Sequence, residues 1–243
     1  MGVCEVNLII VPVVVGRNMT KRCIKSLLAQ DIGDVHVIVI DNGSEHCSAM
    51  LRAMQTLQMS IVTNVTRQGL NQVWNKMLGY AFDKQHLPHV LVVNNDTVLR
   101  EDTYRMLRDD GGLFVTAVGQ DGPVDQTDRM TLEELQQKRR PHPDFSCFLI
   151  RRECWDRIGQ FNPEINAYCG DADYHLRMHR AGVEASSLPI PFEHVASGTL
   201  KQASIPLRDQ ILKEADADRA IFRRLYGCAV GDEAYYAMFK EPR

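Results

Sequence analysis

Continuous apolar runs alternate with amphipathic stretches through the first half of the chain. The apolar runs are VNLIIVPVVV, VHVIVI, SIVTNV and HVLVV, and segments such as TKRCIKSLLAQ and NQVWNKMLGYAFDK lie between them with apolar side chains at helical spacing. Short Val/Ile-rich runs without polar alternation are typical of parallel strands covered on both faces. The pattern therefore predicts an α/β fold with a doubly wound, mostly parallel sheet, mixed in part, and helices on both faces.

The second half of the chain is less regular. A turn-rich stretch, GGLFVTAVGQDGPVDQTD, precedes a predicted helix near residues 131–140. The segment CGDADYHLRMHRAG predicts a helix that Asp171 caps and Gly182 ends, and a last helix is predicted from Leu207 to Tyr226.

Hydroxyl side chains at the starts of the first two predicted helices are candidates for helix caps. Thr20 precedes the first amphipathic stretch and Ser48 the second. Because a hydroxyl oxygen can accept a free N–H of the first turn, we expect both residues to act as N-caps.

Short polar or turn-forming segments follow the ends of the predicted strands. They are residues 12–15, the DNGS of 41–44, the TRQG of 66–69 and the NNDT of 94–97. In doubly wound sheets a ligand lies outside the carboxyl ends of the strands, so these segments are the candidate binding residues. The first is apolar and would act through its backbone and its shape.

Composition and charge exclude some classes of partner. The 243 residues carry a net charge of −3, which gives no global field to attract nucleic acid or an anionic membrane, and the basic run at 138–140 is interpreted as a solvated helix end. Seven scattered cysteines without a C-x-x-C pair indicate a reducing compartment. The apolar run LIIVPVVV is too short for a membrane span, so a cytoplasmic protein is expected.

Oxygen-ligand chemistry remains after the common fingerprints are excluded. The chain contains no G-x-G-x-x-G, G-x-x-x-x-G-K-[ST], G-x-S-x-G or H-E-x-x-H. Asp96 could hold a divalent cation, since Mg²⁺ and Mn²⁺ prefer oxygen ligands, and a neutral His194 beside it would favour Mn²⁺ over Mg²⁺. The alternatives are a turn or helix cap for NND and a structural role for the histidine.

Two further acidic positions have a functional and a structural interpretation. Asp41, after the second strand, is placed to accept a hydrogen bond from a ribose or a base N–H, although DNGS is also turn chemistry. Asp171 could be a general base facing a cleft or a plain cap. Asp173 and Arg177 are predicted to form a surface ion pair.

Taken in this order, these segments resemble the family 2 glycosyltransferases of the GT-A fold, and more closely the bacterial and phage rhamnosyltransferase-like members. The resemblance covers most of the chain. Its segments are VNLIIVPVVVGRNMTKRCIKSLLAQ, VIVIDNGS, RQGLNQVWNK, VLVVNNDTVL, FLIRRECWDRIGQFNPEINAYCGDADYHLRMHRAG and FEHVASGT.

The resemblance implies a metal-dependent inverting transferase that moves a sugar from a UDP or dTDP donor to a hydroxyl. The acceptor could be a glycan, a protein side chain or a modified nucleobase in DNA. Asp96 and His194 become ligands of the divalent cation, with Mn²⁺ favoured, and Asp171 becomes the general base. The residues assigned to the nucleotide sugar are Pro12, Val13, Asp41, Arg67, Gly69, Asn75, Asn94 and Asn95.

The resemblance also implies one GT-A domain over residues 1–243. Residues 1–110 would bind the nucleotide sugar, 111–205 would form the acceptor side, and 206–243 would form a C-terminal helix and tail.

Several positions depart from the family pattern. Asn94 replaces the usual first acid of a D-x-D element, which removes one negative charge from the predicted metal site. Gly170 replaces a Glu and leaves Asp171 the only acid at that step. Arg67 and Met77 stand where Asn and Gly are frequent.

Two other functions stay open at this stage. A nucleotidyltransferase on a similar sheet would show a Gly-rich, basic loop after the first strand, where this chain offers only Gly16 and Arg17. A catalytically silent module that binds nucleotide sugars is the other alternative, because of Asn94 and Gly170.

Overall fold

The computed structural model of the protein describes residues 7–125, 130, 131, 133, 134, 143–166, 168–195 and 197–240. The basic run at 138–140 lies outside the described residues. So does most of the helix predicted near 131–140.

Eight strands form one mixed sheet in the order β3-β2-β1-β4-β7-β6-β8-β5. Its first four members are parallel, whereas β7 is antiparallel to β4 and β6, and β8 runs parallel to β6 and antiparallel to β5. The predicted parallel strands of the first half are therefore confirmed. The strands are β1 (Asn7–Val13), β2 (Val35–Asn42), β3 (Met59–Asn64), β4 (His89–Val93), β5 (Thr97–Val98), β6 (Phe114–Gln120), β7 (Cys147–Arg151) and β8 (Ala185–His194).

Helices cover both faces of this sheet. Alternate residues of a strand point to opposite faces, so Ile9 of β1 packs in the core beside Ile24 while Ile10 packs in a second core beside Trp74. The helices are α1 (Arg17–Leu28), α2 (Ser48–Met54), α3 (Leu70–Gly79, continued by a π-helical turn over Tyr80–Lys84), α4 (Thr103–Asp109), α5 (Arg152–Ile158), α6 (Gly170–Arg180), α7 (Gly198–Gln202), α8 (Ile205–Tyr226) and α9 (Glu233–Ala237).

The prediction that Thr20 and Ser48 cap the first two helices is wrong. Both hydroxyls form hydrogen bonds with residues at strand ends instead. Gly16 adopts a left-handed conformation (φ 93°) that starts α1 four residues before Thr20, which is buried inside the helix and accepts a hydrogen bond from Asn95. Ser48 is the first residue of α2, and its hydroxyl donates to the Asp41 carboxylate at 2.5 Å. Asp171, the predicted cap of α6, lies one residue inside that helix, where Cys169 is the N-cap.

The long helix α8 ends where the sequence predicts. Ser204 caps its start, and Gly227 ends it in a left-handed conformation (φ 74°). Within the described part of the chain, no helix combines the length and the apolar character needed to cross a membrane.

The ion pair between Asp173 and Arg177 is present, but it is not on the surface. Asp173 is 2% exposed, and the Arg177 Nε donates to it at 3.0 Å. The hydroxyl of Tyr226, at the end of α8, donates to the other carboxylate oxygen at 2.7 Å. A buried carboxylate needs such donors, so this contact ties α8 to α6.

Removing the Tyr226 hydroxyl should therefore destabilise the protein. We expect Tyr226→Phe to lower the free energy of unfolding by about 1–3 kcal/mol, because it withdraws a donor from a buried carboxylate. Chemical denaturation measures the change. Tyr236→Phe, on a side chain that is 39% exposed, is the control, and an equal effect of the two variants would contradict the role of this hydrogen bond.

Candidate functional site

A cleft of about 280 Å³ opens at the carboxyl ends of β1, β2 and β4. The segments that follow these strands contribute to its wall, as expected for this class of sheet. Lining residues that bear on its chemistry are Pro12, Asn42, Arg67, Asn94, Asp96 and His194. We call it the larger cleft, to distinguish it from a smaller one beside it that is described below.

Asp96 and His194 meet in the larger cleft because β5 pairs with β8. Thr97 lies opposite His194 in that ladder, and the His194 Nε2 is 3.7 Å from the Asp96 Oδ1. This carboxylate oxygen is buried and has no hydrogen-bond partner. Burial raises the pKa of the Asp96 carboxyl, and the neighbouring His194 offsets part of that rise.

This pair fits a divalent cation. A cation between the two side chains would satisfy the unpartnered oxygen, and a carboxylate with an imidazole suits Mn²⁺. No group of three or more His, Cys, Asp or Glu side chains suited to a metal exists among the described residues. A cation held here would therefore take its other ligands from a bound molecule or from water.

Two glycines allow the chain to pack closely around the pair. A Cβ on Gly198 would lie 3.0 Å from the Asp96 Oδ2, and one on Gly119 would lie 3.2 Å from the His194 Nδ1. Sequence analysis did not single out either residue. The glycine in ASGT, four residues after His194, is a signal that could have done so.

The two asparagines before Asp96 have different surroundings. Asn95 is buried, and its side-chain amide donates to the Val15 carbonyl at 2.8 Å and to the Thr20 hydroxyl at 2.7 Å. It thus joins the end of β4 to the end of β1 and to α1. Asn94 lines the larger cleft and a second, smaller one.

At the ends of β1 and β2, some predicted residues do not line the cleft, and the next residue in the sequence lines it instead. Pro12 lines it, whereas Val13 points into the core and Val14 lines the cleft in its place. The side-chain period of two in a strand accounts for this alternation.

Asp41 does not line the cleft. Its carboxylate accepts the Ser44 N–H at 3.0 Å and the Ser48 hydroxyl, which is the turn interpretation of DNGS. The next residue, Asn42, lines the cleft and accepts the Gln68 N–H at 3.0 Å.

Arg67 lines the larger cleft and is ion-paired with Glu214 of α8. Both side chains are largely buried, with 14% and 23% exposed, and the Arg67 Nε has no hydrogen-bond partner. Sequence analysis gave Glu214 no role. The pair brings the C-terminal helix to the wall of the cleft.

Gly69 and Asn75 have roles in packing. A Cβ on Gly69 would lie 3.1 Å from the Asn166 Cα, so the glycine allows the segment around Asn166 to approach α3. The Asn75 side chain makes two 2.8 Å hydrogen bonds with the backbone of Phe161 and lies outside the cleft. The Asn75 amide thus donates to the carbonyl and accepts the N–H of one backbone residue, as a neighbouring strand would.

The smaller cleft, of about 160 Å³, contains Asp171. It adjoins the larger cleft, since Asn94 and Tyr168 line both. Asp171 lies in the first turn of α6 and accepts the N–H of Ala172 at 2.8 Å, so it combines a local hydrogen bond with a place in the cleft wall.

A second carboxylate in the smaller cleft, Asp144, was missed by sequence analysis. Its two oxygens accept the backbone N–H of Gly119 at 3.2 Å and of Ser146 at 2.9 Å. Asp144 follows no apolar run and stands in an irregular stretch, so no periodic pattern marks it.

The family comparison agrees with this geometry. Residues 8–110 match the family model described as Glycosyl transferase family 2. This part of the chain, less than half of the 243 residues, is thus similar to family 2 glycosyltransferases. No curated protein sequence matches the chain significantly.

Solved structures of glycosyltransferases share the fold. GalNAc-T7 with UDP, GalNAc and Mn²⁺ aligns with a TM-score of 0.59 and 15% identity over 78% of this chain and 43% of its own. Residues 1–349 of S. aureus TarS with UDP-GlcNAc align with a TM-score of 0.61 and 14% identity, over 97% of this chain and 70% of that one. The GT-A fold is confirmed, whereas the rhamnosyltransferase-like subgroup stays a prediction.

The burial of Asp96 leads to a prediction about stability. Since its pKa is raised in the folded state, the folded protein loses stability as the pH rises through that pKa and the carboxylate becomes charged. We expect Asp96→Asn to raise the melting temperature of the metal-free protein at pH 7, and the gain to shrink as the pH falls toward the ordinary aspartate pKa of 3.8.

Thermal unfolding in EDTA at several pH values measures this effect. Asp83→Asn, on a side chain that is 53% exposed, is the control. A lower melting temperature for Asp96→Asn than for Asp83→Asn at pH 7 would contradict the prediction.

Proposed function

We propose that the protein is a metal-dependent, inverting glycosyltransferase that moves a sugar from a nucleoside diphosphate to a hydroxyl group. The observation that carries the proposal is the Asp96–His194 pair, with its unpartnered carboxylate oxygen, in a cleft that adjoins a second cleft containing Asp171. The larger cleft would hold the donor and the smaller one the acceptor.

The larger cleft has the groups that a nucleotide-sugar diphosphate needs. Asp96 and His194 would hold a divalent cation, which supplies Lewis-acid stabilisation of the departing diphosphate. Arg67 lies in the same wall and can donate to phosphate oxygens. The GalNAc-T7 structure with UDP and Mn²⁺ and the TarS structure with UDP-GlcNAc support a UDP-type donor, and dTDP would use the same contacts.

Asp171 is the better candidate for the general base. Both oxygens of Asp144 accept backbone N–H groups and hold Gly119 and Ser146, whereas Asp171 lies in the first turn of α6, in the wall of the smaller cleft. The acceptor oxygen would attack the anomeric carbon and give its proton to Asp171. The bond from that carbon to the diphosphate would break with its electron pair leaving on the diphosphate, and a single displacement inverts the configuration.

The charge of the smaller cleft supports a neutral acceptor. Two carboxylates, Asp144 and Asp171, face the same space, and they would repel a polyanion such as DNA. Among the three acceptor classes, a glycan or a protein hydroxyl is therefore favoured over a nucleobase in DNA.

A nucleotidyltransferase is less well supported. The basic loop that such an enzyme would use follows the first strand, and neither Gly16 nor Arg17 is among the residues that line the two clefts.

Nucleotide binding should depend on metal. We expect UDP or dTDP with Mn²⁺ to raise the melting temperature of the wild type, and EDTA to abolish most of the shift, because two side chains and the diphosphate would share the cation. Asp96→Asn should remove the Mn²⁺-dependent part of the shift, and Asp83→Asn should retain it. A shift that is equal with Mn²⁺ and with EDTA would contradict the metal site.

Transfer should require Asp171. We expect Asp171→Asn to lower kcat by about 100-fold or more while the affinity for UDP with Mn²⁺ stays unchanged, because general-base catalysis typically contributes 10²–10⁴-fold. Product formation from a nucleotide sugar and nucleotide binding are measured on the same preparation. The exposed Asp209 gives the control variant Asp209→Asn.

Loss of transfer together with loss of nucleotide binding would show instead that Asp171 is chiefly a structural residue of α6. A wild type that binds donor but never transfers to any acceptor would favour the silent module.

A further inference from the structure

Asn166 and Tyr168 lie between the two clefts, and we refer to these two residues as the segment between the clefts. Asn166 and Tyr168 line the larger cleft, and Tyr168 also lines the smaller one, next to Asp171. Asn166 and Tyr168 lie outside the helices and strands of the fold. Tyr168 is therefore part of the wall that the two clefts share, and the position of Asn166 and Tyr168 depends on contacts with other parts of the fold.

A buried carboxylate on α8 holds this segment. The Oδ1 of Asp218 accepts the backbone N–H of Asn166 at 2.9 Å, and its Oδ2 accepts that of Tyr168 at 2.7 Å. Asp218 is 0% exposed. Burying a charged carboxylate costs several kcal/mol unless donors satisfy it, and here each oxygen receives a backbone donor.

The place of Asp218 on α8 argues against chance. The buried residues of this helix are Ile211, Ala215, Asp218 and Phe222, at spacings of four, three and four that define one face. Asp218 is the only charged member of that face. A carboxylate at the centre of an apolar helix face is rare without a specific partner, and its partner is the segment between the clefts.

Further contacts, from the start of α3 and from α8 itself, also fix Asn166 and Tyr168. The Leu70 N–H donates to the Asn166 carbonyl at 2.6 Å, and Gly69 leaves room for Asn166 against α3. The Arg219 guanidinium lies 5.7 Å from the centre of the Tyr168 ring. The segment is thus held between the start of α3 and the middle of α8.

We infer that Asp218 is a positioning residue that sets the wall between donor and acceptor, so that it controls transfer to the acceptor more than binding of the donor. The inference rests on the proposed function. Asp218 lines neither cleft and acts through the backbone of Asn166 and Tyr168, whereas the cation pair and Arg67 lie on other segments.

The variant Asp218→Asn tests this inference. It keeps the size of the side chain but replaces one accepting oxygen by a donating NH₂, which faces a backbone N–H and must displace it. We expect kcat/KM for the acceptor to fall about tenfold or more, while UDP affinity and the slow transfer of the sugar to water change by less than about twofold. Asp209→Asn, exposed on the same helix, should match the wild type in every measurement.

Hydrogen exchange supplies a readout that does not depend on turnover. The amides of Asn166 and Tyr168 should exchange faster in Asp218→Asn than in Asp209→Asn, with α8 itself unchanged. If Asp218→Asn does not fold, Asp218→Thr, which is neutral, close in size and carries a single oxygen, should give the same changes, because one oxygen cannot replace both acceptors.

The outcomes separate the two hypotheses. A wild type without transfer or donor binding would overturn the proposed function and with it the control of transfer by Asp218, whereas faster exchange of the Asn166 and Tyr168 amides in Asp218→Asn would still establish that Asp218 fixes their backbone. Unchanged exchange, or an equal loss of transfer to acceptor and to water, would overturn the role of Asp218.

Discussion

The burial of the Asp96 carboxylate beside His194 is the constraint on which the site depends. It arises because the two-residue strand β5 pairs with the end of β8, which places Asp96, the residue before β5, beside His194, the last residue of β8. The arrangement leaves a buried oxygen without a partner and raises the pKa of Asp96, so it disfavours the folded state at neutral pH. A buried carboxylate with a perturbed pKa is typical of a functional site.

Helix α8 supports the site through three contacts, although it contributes few groups to the cleft walls. Glu214 pairs with Arg67, and Asp218 accepts the backbone N–H groups of Asn166 and Tyr168. Tyr226 donates to Asp173 on the helix that carries Asp171. These contacts span 12 residues of one helix, about 18 Å at 1.5 Å per residue. A single rigid element thus links a donor-side arginine, the wall between the clefts and the helix of the candidate base.

Local patterns predicted the parallel strands and the end of α8 at Gly227, because these depend on short apolar runs and on a left-handed glycine. The larger cleft also lies where a doubly wound sheet leads one to expect it, at the carboxyl ends of the strands. Details that depend on tertiary contacts were missed. Thr20 was predicted to be a cap, but its hydroxyl accepts a hydrogen bond from Asn95, 75 residues along the chain. For DNGS the sequence left a binding and a turn interpretation open, and the contacts of Asp41 with Ser44 and Ser48 are those of the turn. In the sequence, Asp218 is an acid that occupies an apolar position of the helix pattern. The backbone N–H groups that it accepts lie 50 and 52 residues away, so no local pattern indicates them.

The small number of side-chain ligands has a consequence for the order of events at the proposed site. Asp96 and His194 can give a cation two protein ligands, and Asn94 stands where a further carboxylate would add a third. Weak binding of the cation alone and tight binding in the presence of a diphosphate then follow, because the diphosphate completes the coordination. Linkage makes this coupling reciprocal, so the cation raises the affinity for the nucleotide by the same factor. At the proposed site, Asn94 in place of a carboxylate would make the binding of the cation depend on the donor.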